Sequence, residues 1–284
     1  MFGEDPGLQI TDQEFRLFKD LIYKHFGIHL TDAKRSLLVR RLQQWLRQQG
    51  FQNFTGFYDH LIKDGCDESF SELANRITTN YTFFNREPDH FVHFSQTALP
   101  QTVQYHKNRM DWDIRVWCAA ASTGEEPYML AMLLMRYFGR DYMKWDAGVL
   151  ATDISHRALQ QAKRGSYTEE QVESLPKGFR SSYFKKNGAG LYEVCDELRR
   201  DVTYRRFNLI NKVYPFKKPF DIIFCRNVMI YFDQPTKDHV IKMLLKHLRP
   251  GGYLYIGHSE SISRDTPGIQ YIKPAVYCKV GGIW

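Results

Sequence analysis

The first quarter of the chain has the spacing of helices, with apolar residues returning every three or four positions. Thr11-Asp12 can cap a helix whose apolar stripe comprises Phe15, Phe18, Leu21, Ile22 and Phe26. Thr31-Asp32 can begin a second helix, which ends near Gly50 and whose apolar face comprises Leu38, Leu42, Trp45 and Leu46. Two shorter helices are predicted around FTGFYDHLIKD and ESFSELANRIT, without any strand pattern between them. An all-helical segment is therefore predicted from residue 11 to about 78.

From Ile114 onward, short apolar runs alternate with helical stretches. The predicted strands are IRVWCAA, AGVLATDIS, FDIIFCRN and YLYIGH, and FDIIFCRN is apolar enough to be buried on both faces. Helices are predicted from about Glu126 to Phe138 and in HRALQQAKRG and TKDHVIKMLLKHL, with RPGG as a turn before YLYIGH. IQYIK and AVYCKV close the chain as a hairpin around Pro274. This alternation indicates a parallel, doubly wound α/β sheet.

One stretch, from residue 165 to about 205, breaks the alternation. Its segment LYEVCDELRRDVTYRRF has the pattern of paired strands around a charged turn. We therefore predict a small antiparallel β-subdomain inserted into the α/β domain.

The composition is that of a globular protein, with 43% hydrophobic residues and a net charge of +7 that favours an acidic partner. Five cysteines, an odd number without CxxC spacing, predict free thiols in a reducing compartment and no structural zinc. The start MFGEDPGLQI lacks the pattern of a signal peptide, and no apolar run approaches the roughly 18 residues of a membrane span. We therefore expect a soluble, cytoplasmic protein without membrane insertion.

The candidate ligand site is the turn in WCAAASTGEEPY, where a predicted strand passes into a helix. In doubly wound sheets, ligands bind beyond the carboxyl ends of the strands, where the strand order reverses. A dinucleotide site needs G-x-G-x-x-G here, whereas this turn has Gly124 alone, followed by Glu125 and Glu126. Carboxylates in a first helical turn repel a phosphate, so a neutral or cationic ligand is expected, although one glutamate can serve the helix dipole only.

S-adenosylmethionine fits this turn, because it has a sulfonium, an ammonium and a ribose diol but no phosphate. Asp153 ends the next strand, where an acid can accept hydrogen bonds from both ribose hydroxyls; its alternative role is a helix N-cap. Arg226 and Asn227 follow the strand FDIIFC, facing the crevice by position, with the start of a surface loop as the alternative. These residues indicate an S-adenosylmethionine site.

Five motifs follow one another in an order that is specific when they are taken together: TTNYTFFNRE, RVWCAAASTGEEPY, ATDIS, FDIIFCRNVMIYFD and GGYLYIGHSE. In them the sequence resembles the chemotaxis receptor glutamate methyltransferases, the CheR family, from about residue 12 to 280. The resemblance implies an all-helical N-terminal domain over 1–78, a linker over 79–90, and a methyltransferase domain over 91–284. That domain is implied to be a Rossmann-like class I S-adenosylmethionine-dependent α/β methyltransferase, with the small antiparallel β-subdomain inserted at about 165–205.

The same resemblance implies the reaction and the residues that take part in it. Methyl groups pass from S-adenosylmethionine to glutamate side chains on cytoplasmic helices of methyl-accepting chemoreceptors, giving glutamate methyl esters and S-adenosylhomocysteine. Tyr231 matches a tyrosine near the reacting methyl group, with core packing beside Phe232 as its alternative. The implied cofactor-binding positions are Asn80, Thr82, Arg86, Glu126, Asp153 (ribose), Asn208 and Leu209 (adenine), Arg226 and Asn227. No metal is expected, and we expect a monomer.

Two features depart from the family pattern. The residue before Arg86 is Asn85, where the family usually has an aromatic residue. The sequence therefore does not determine how the Arg86 side chain packs. The loop FKKNGAGLYE of the insertion is short, whereas some members use a longer loop to dock on a pentapeptide at the receptor C-terminus. We expect methylation without that tether.

Methyl transfer from a sulfonium to an ionised carboxylate is an in-line displacement that needs no general base. The sequence accordingly contains no recognisable Ser-His-Asp or Cys-His arrangement. Arg86 is the candidate cation that holds the substrate carboxylate, and Tyr231 is the candidate that orients it. Three basic residues opposite the apolar face of the second helix either attract acidic receptor helices or form a solvated helix side: Arg40, Arg41 and Arg47.

Two other functions are compatible with parts of this pattern. A nucleic-acid methyltransferase suits the basic charge, but no N/D-P-P-Y/F ends the strand FDIIFCRN and Cys225 has no adjacent proline. We therefore expect no nucleic-acid partner. The other alternative is a non-catalytic S-adenosylmethionine sensor, against which the presence of Arg86, Asp153 and Tyr231 argues.

Overall fold

The computed structural model describes residues 8–65, 67–78 and 80–281. Packing divides the chain into two compact units, Met1–Thr79 with Tyr231–Thr236, and Asn80–Ile230 with Lys237–Trp284. Residues 1–7 and Cys66 lie outside the described residues. The prediction that a signal peptide is missing rests partly on residues 1–7, and the prediction of free thiols rests partly on Cys66. The cysteines of the described part are free thiols, as predicted: Cys118, Cys195, Cys225 and Cys278.

The first unit is helical, as its apolar spacing predicted. Thr11 caps the first helix in a capping box, since its side chain accepts from the Glu14 backbone N–H and the Glu14 carboxylate accepts from the Thr11 backbone N–H. The same carboxylate accepts hydrogen bonds from the backbone and hydroxyl of Thr55, which joins the starts of two helices. The helices are α1 (Asp12–Phe26), a 3-10 turn (Asp32–Lys34), α2 (Arg35–Gln48), α3 (Phe54–Asp64) and α4 (Asp67–Ile77).

Aromatic rings fill the core of this unit. Phe18 of α1 is fully buried, stacks on Phe57 with 5.7 Å between ring centroids, and meets Phe54 edge-on at 5.8 Å. Trp45 of α2 packs edge-on against Phe57 at 4.8 Å. The apolar stripes predicted on α1 and α2 are therefore core-facing, and aromatic side chains supply much of the area that they bury.

The later segment Tyr231–Thr236 also belongs to this first unit. Phe232 pairs with Ile28 in an isolated antiparallel bridge, and the backbone N–H of His29 donates to the Tyr231 carbonyl at 2.8 Å. The sequence gives no local sign of this return, because pairing between residues so far apart in the chain leaves no periodic pattern.

The second unit is an α/β domain. Its strands are β1 (Val116–Cys118), β2 (Val149–Asp153), β3 (Ser166–Tyr167), β4 (Phe184–Lys186), β5 (Tyr192–Val194), β6 (Val202–Arg206), β7 (Phe220–Phe224), β8 (Leu248–Tyr255), β9 (Ile269–Lys273) and β10 (Val276–Lys279). In the described part of the chain, seven of them form one sheet in the order β6-β2-β1-β7-β8-β10-β9. Strands β6, β2, β1, β7 and β8 are parallel, and the final hairpin β9–β10 adds antiparallel strands at one edge. Strand β7 is buried at every position, as predicted.

Helices connect these strands as the alternation predicted, with additions. The helices are α5 (Pro88–His93), a π-helical turn (Phe94–Ala98), α6 (Leu99–Lys107), α7 (Glu125–Phe138), a 3-10 turn (Gly139–Lys144), α8 (His156–Arg164), α9 (Glu169–Glu173), α10 (Phe179–Tyr183), α11 (Asp196–Arg200), a 3-10 turn (Met229–Tyr231) and α12 (Gln234–His247). The sequence did not predict α5 and α6, because their apolar residues are interrupted by histidines and glutamines and form no continuous stripe.

The insertion differs in part from the prediction. Strands β3, β5 and β4 form the expected small antiparallel sheet. The predicted pairing within LYEVCDELRRDVTYRRF is wrong, because α11 separates β5 from β6, and β6 pairs in parallel with β2 as an edge strand of the main sheet. Alternation of apolar and polar residues identifies a strand, but not the strand that it pairs with.

The motif RPGG is part of a strand and not a turn before it. Strand β8 runs from Leu248 to Tyr255 and pairs with β7, with a register shift between Phe220 and Ile222. The two glycines therefore lie at an irregularity inside the strand, which is a common position for glycine in sheets.

Candidate functional site

The carboxyl ends of β6, β2, β1 and β7 lie side by side. In the parallel register Cys118 of β1 is opposite Ala151 of β2 on one side and Phe224 of β7 on the other. Strand β1 therefore lies where the strand order reverses, since the chain continues to β2 on one side and later places β7 on the other. The segments that follow these strands meet at one edge of the sheet, which we call the carboxyl-edge site.

The turn between β1 and α7 is tight, and Gly124 is the residue that permits it. Its φ is +101°, and a Cβ at this position would lie 2.7 Å from the Tyr167 hydroxyl and 2.9 Å from the Ala162 Cβ. The Tyr167 hydroxyl is fixed there, because it donates to the Thr123 carbonyl at 2.8 Å. One glycine is thus sufficient for this turn, which explains why the sequence lacks the glycine-rich pattern.

Gly124→Ala is expected to lower the free energy of unfolding by about 2 to 4 kcal/mol, because backbone strain and steric overlap combine. The matched control is Gly178→Ala, since Gly178 also has a positive φ (+86°) but nothing within 4 Å of the added Cβ. We expect that control to lose about 1 kcal/mol, from strain alone. Urea unfolding of both variants measures the difference, and equal losses would contradict the steric account.

The two glutamates at the start of α7 have different environments. Glu125 is fully buried, accepts a hydrogen bond from the Thr123 hydroxyl at 2.6 Å, and has a pKa that burial raises. Glu126 accepts from the Cys118 thiol at 3.1 Å and forms an ion pair with Arg226. Glu125 therefore belongs to the turn itself, while the Glu126 carboxylate lies against the ends of β1 and β7.

Asp153 holds the ends of two loops. Its carboxylate accepts hydrogen bonds from the backbone N–H groups of Ser122 and Ser155, each at 2.8 Å, and burial raises its pKa. The N-cap of α8 is Ser155, whose side chain accepts from the Ala158 N–H. The alternative role of Asp153 as that N-cap is therefore excluded.

The linker reaches the same edge of the sheet. The Asn80 carbonyl accepts from the Ser122 hydroxyl at 3.2 Å, so Asn80 and Asp153 contact the same serine. Asn80 and Thr82 also line a cavity of about 300 Å³. The residues lining this cavity do not include Asp153, Glu126 or Arg226, so the hydrogen bonds, and not the cavity, define how the linker joins the site.

Arg226 is the centre of a buried ion cluster, which we call the Arg226 cluster (Arg226, Glu87 and Glu126). Its side chain is 1% exposed, pairs with Glu126, and donates to Glu87 at 2.9 Å and to the Arg86 carbonyl at 2.6 Å. Burial opposes the charged form of Arg226, but the two carboxylates outweigh it and raise the pKa of this side chain. Burial likewise opposes ionisation of Glu87, and the Arg226 charge outweighs it, so the pKa of Glu87 is lowered.

Glu87 is a site residue that the sequence did not reveal, although it ends the motif TTNYTFFNRE. It also accepts hydrogen bonds from the Asn227 side chain and the His258 backbone N–H, each at 3.2 Å. It therefore joins the linker to the segments after β7 and β8. The only sequence signal was its position directly after Arg86.

The loop after β7 has a second carboxylate anchor. Glu260 accepts from the backbone N–H groups of Gly257, Asn227 and Met229 at 2.6, 2.9 and 2.7 Å, and burial raises its pKa. Asn227 is held with φ = +57°, a left-handed conformation that asparagine tolerates better than most residues. The predicted pair Arg226-Asn227 is thus part of the fold at the site, and is not a surface loop.

The packing of Arg86 answers the question that Asn85 raised. Asn85 and Glu87 on either side have φ of +59° and +57°, and asparagine suits such a position. The Arg86 side chain is half-buried, donates to the Tyr81 carbonyl at 2.9 Å, and lies over the rings of Tyr81 and Phe83 at 5.9 and 6.0 Å. Phe83 therefore supplies the aromatic contact that the preceding position does not.

Asn208 and Leu209 follow β6, next to the end of β2. The Phe207 backbone N–H donates to the Asp153 carbonyl at 3.0 Å, which places Asn208 one residue beyond that contact. Leu209 is buried, and its carbonyl accepts from the Tyr214 hydroxyl at 2.6 Å. Both residues follow the carboxyl end of β6, and their contact with adenine stays a prediction.

The remaining predicted residues belong to the first unit. Arg40 and Arg47 are exposed, whereas Arg41 is half-buried and donates to the carbonyl of Ile77 at the end of α4. Burial lowers the pKa of Arg41. Arg41 is thus engaged within the helical unit, so the alternative of a solvated helix side does not hold for this residue. The substrate-binding role of Arg40, Arg41 and Arg47, and the role of Tyr231, stay predictions.

The carboxyl-edge site is suited to a ligand that carries both a positive charge and hydroxyl groups. Glu126 and Asp153 are its anions, and each carboxylate can accept more hydrogen bonds than it receives. Glycine-rich backbone for a pyrophosphate is lacking at the described turn. Among the described residues, no helix is both long and apolar enough to pass through a bilayer.

Comparison with known proteins agrees with this chemistry. Residues 13–78 match the family described as "CheR methyltransferase, all-alpha domain", and residues 80–278 match "CheR methyltransferase, SAM binding domain". The chain is 37% identical to the chemotaxis protein methyltransferase of Borreliella burgdorferi, over 96% of this chain and 96% of that protein. It is 38% identical to the chemotaxis protein methyltransferase of Escherichia coli, over 90% of this chain and 87% of that protein. Among solved structures, an rRNA methylase of Streptococcus thermophilus aligns with 60% of this chain and with 89% of its own chain. The sequence identity is 14% and the TM-score is 0.36, and these values are too low to bear on function.

Proposed function

The chain belongs to the CheR methyltransferase family, and from this premise we propose that it methylates glutamate side chains on cytoplasmic helices of chemoreceptors, with S-adenosylmethionine as methyl donor. The products are glutamate methyl esters and S-adenosylhomocysteine, and the process served is adaptation in chemotaxis. The observation that supports this most is the Arg226 cluster, which fixes Glu126 beside the ends of β1 and β7. The protein acts in the cytoplasm, as a monomer and without a receptor pentapeptide tether.

The described residues fit S-adenosylmethionine. We assign Asp153 to the ribose hydroxyls and Glu126 to the ammonium end, because Asp153 ends β2 and the Glu126 carboxylate lies against the end of the neighbouring strand β1. Asn80, Thr82 and Arg86 of the linker, and Asn208, Leu209 and Asn227 at the strand ends, complete the binding set. We propose that Arg226 contributes to cofactor binding through Glu126, since its side chain pairs with Glu87 and Glu126 and so orients Glu126.

The bound cofactor supplies an electrophilic methyl group on a positively charged sulfur. What the chain must do is bind the substrate carboxylate, remove its water and aim it. Arg86 suits the first task, because one of its donors is held by Tyr81 and the others remain for a carboxylate. Tyr231 is the candidate that orients the substrate carboxylate. The exposed Arg40 and Arg47 attract the acidic helix that bears it, and Arg41, which is engaged within the helical unit, adds to the positive charge of that face.

Both rival functions are less well supported. A nucleic-acid methyltransferase needs aromatic or proline-rich elements that hold a flat base, and the segment after β7 is instead an Arg-Asn pair tied to Glu87 and Glu260. A non-catalytic sensor would not require a cation for the substrate carboxylate, whereas Arg86 is present and is positioned by its contacts with Tyr81 and Phe83.

The test is transfer of labelled methyl from S-adenosylmethionine to receptor-containing membranes, followed by mild alkali. Label on a receptor-sized band, released as volatile methanol, is the expected result and identifies carboxyl methyl esters. Label that resists alkali, or that appears only after RNA or DNA is added, would favour the nucleic-acid alternative. Cofactor binding without transfer to any chemoreceptor preparation would favour the sensor.

Asp153→Asn is expected to weaken S-adenosylhomocysteine binding by about 10- to 100-fold, since hydrogen bonds to a charged acceptor contribute about 1.5 to 3 kcal/mol. Isothermal titration calorimetry measures this loss. Asp141→Asn is the matched control, because Asp141 is an exposed carboxylate that pairs with Lys144. A stability measurement separates binding from folding, since Asp153 also accepts from Ser122 and Ser155. Unchanged affinity would exclude Asp153 from the ribose site.

A further inference from the structure

His90 of α5 is a buried side chain whose role the methyl-transfer site does not explain. It is 0% exposed, and among the described residues neither of its ring nitrogens has a hydrogen-bond partner. Its Nδ1 lies 3.4 Å from Oε2 of Glu87, and its ring meets that of His258 edge-on with 4.7 Å between centroids. A buried imidazole without a hydrogen bond is unfavourable unless something else uses its lone pair.

Three potential ligand atoms converge at this point. One oxygen of Glu87 and one ring nitrogen each of His90 and His258 all lie within 4.8 Å of one another. Glu87 and His90 are separated by one helical turn at the start of α5, and His258 comes from the loop after β8. Two elements distant in sequence thus bring a carboxylate and two imidazoles together, which we call the His90 cluster (Glu87, His90 and His258).

We propose that the His90 cluster binds a divalent transition-metal ion, with Zn²⁺ as the ion that best matches two imidazoles and one carboxylate. Nitrogen ligands disfavour Mg²⁺ and Ca²⁺, which prefer oxygen, and a His-His-Glu set leaves a coordination position open, as in many zinc sites.

The surroundings of His258 support this assignment. The His258 side chain is 44% exposed, which provides an entry path, while His90 closes the site on the protein side. The His258 Nε2 lies 3.1 Å from the Asp89 carboxylate, which is itself paired with Lys273 at 3.1 Å. A carboxylate on one imidazole nitrogen orients the ring and raises the basicity of the other nitrogen, the usual outer contact of metal-bound histidine.

The metal ion would share Glu87 with Arg226, and this sharing couples it to the carboxyl-edge site. Arg226 holds Glu126 as well as Glu87, so an ion that withdraws charge from Glu87 loosens the arrangement that orients Glu126. Zinc binding is therefore expected to weaken cofactor binding, an effect that rests on the proposed function of Glu126. The metal site itself does not depend on that function.

The first experiment measures zinc binding by the untagged, reduced full chain, in competition with a chromophoric chelator. The test variant is His258→Ala, because this side chain is exposed and its removal leaves the Glu87–Arg226 pair and the His258 backbone N–H in place. We expect it to bind the most tightly held zinc at least about tenfold more weakly than the unmodified chain. The control His239→Ala, in which the lost ring contacts the Asn211 carbonyl, should bind like the unmodified chain.

Equal zinc affinity and stoichiometry in the unmodified chain and in His258→Ala would overturn the site, since side chains outside the His90 cluster would then hold the zinc. The second readout is calorimetric affinity for S-adenosylhomocysteine with and without Zn²⁺. We expect a loss of at least about threefold in the unmodified chain and none in His258→Ala. Zinc binding at His258 with unchanged cofactor affinity would confirm the site and overturn the coupling. Failure of the zinc-free chain to bind S-adenosylhomocysteine would contradict the proposed function and leave the metal site standing.

Discussion

Arg86→Ala is expected to lower kcat/KM for methyl transfer by about a thousandfold, equivalent to about 4 kcal/mol of transition-state stabilisation. The substrate carboxylate must lose its hydration before it attacks, and a guanidinium replaces that hydration with two parallel, charge-assisted hydrogen bonds. Arg86 is positioned for this by its backbone, because the left-handed residues Asn85 and Glu87 flank it and its carbonyl accepts from Arg226.

The kinetic pattern separates this role from a structural one. Arg86 donates to the Tyr81 carbonyl and lies over two aromatic rings, so its loss is expected to change the free energy of unfolding by about 1 kcal/mol or less. Cofactor affinity should fall far less than kcat/KM. Arg86→Lys keeps the positive charge but lacks the planar guanidinium. We expect its kcat/KM to lie between the values of the unmodified enzyme and of Arg86→Ala.

The matched control for this prediction is Arg264→Ala. Arg264 also lies over a tyrosine ring, that of Tyr271 at 5.8 Å, in the same unit of the protein. We expect this variant to keep its full rate in the labelled-methyl assay. Full activity in Arg86→Ala would exclude Arg86 from the reaction, and an equal loss in both variants would indicate a general effect of surface charge.

Much of the carboxyl-edge site could be predicted from the sequence, because its parts are local. A glutamate pair after a single glycine, an acid at the end of β2 and a polar pair at the end of β7 are visible without knowledge of the fold. The parallel sheet then brings strand ends together, so Glu126, Asp153 and Arg226 come to one edge through secondary structure alone.

Several features that the sequence did not predict depend on contacts between distant residues. In the sequence, nothing distinguishes Glu87 from other charged residues. Its role depends on its contact with Arg226, which lies 139 positions later in the chain. The edge strand β6 was assigned to the insertion because four helices and a small sheet lie between it and its partner β2 in the sequence. In each case the local pattern was correct, and the partner was the missing information.

Arg226→Ala is expected to lower the free energy of unfolding by about 3 to 5 kcal/mol, since removing one member of a buried ion pair leaves the other unpaired. Here the loss leaves two carboxylates, Glu87 and Glu126, in a region where the arginine side chain was 1% exposed. Urea unfolding measures the change. The control is Lys218→Ala, which breaks the surface pair with Asp113 and should lose less than about 1 kcal/mol.

A double-mutant cycle with Glu87→Gln tests whether this loss arises from the unpaired carboxylates. If the unpaired carboxylates cause the loss, Glu87→Gln should lower the free energy of unfolding when Arg226 is present. In the Arg226→Ala background the same substitution should lower it much less, or raise it. The coupling energy between the two substitutions should be at least about 1 kcal/mol. Additive losses would mean that Arg226 acts through packing against its neighbours, such as the Phe91 ring at 5.5 Å. Measuring the S-adenosylhomocysteine affinity of the same variants tests the orienting role of Arg226. We expect weaker binding in both variants that lack Arg226, including a double variant that folds stably, because Glu126 then lacks the cation that fixes it.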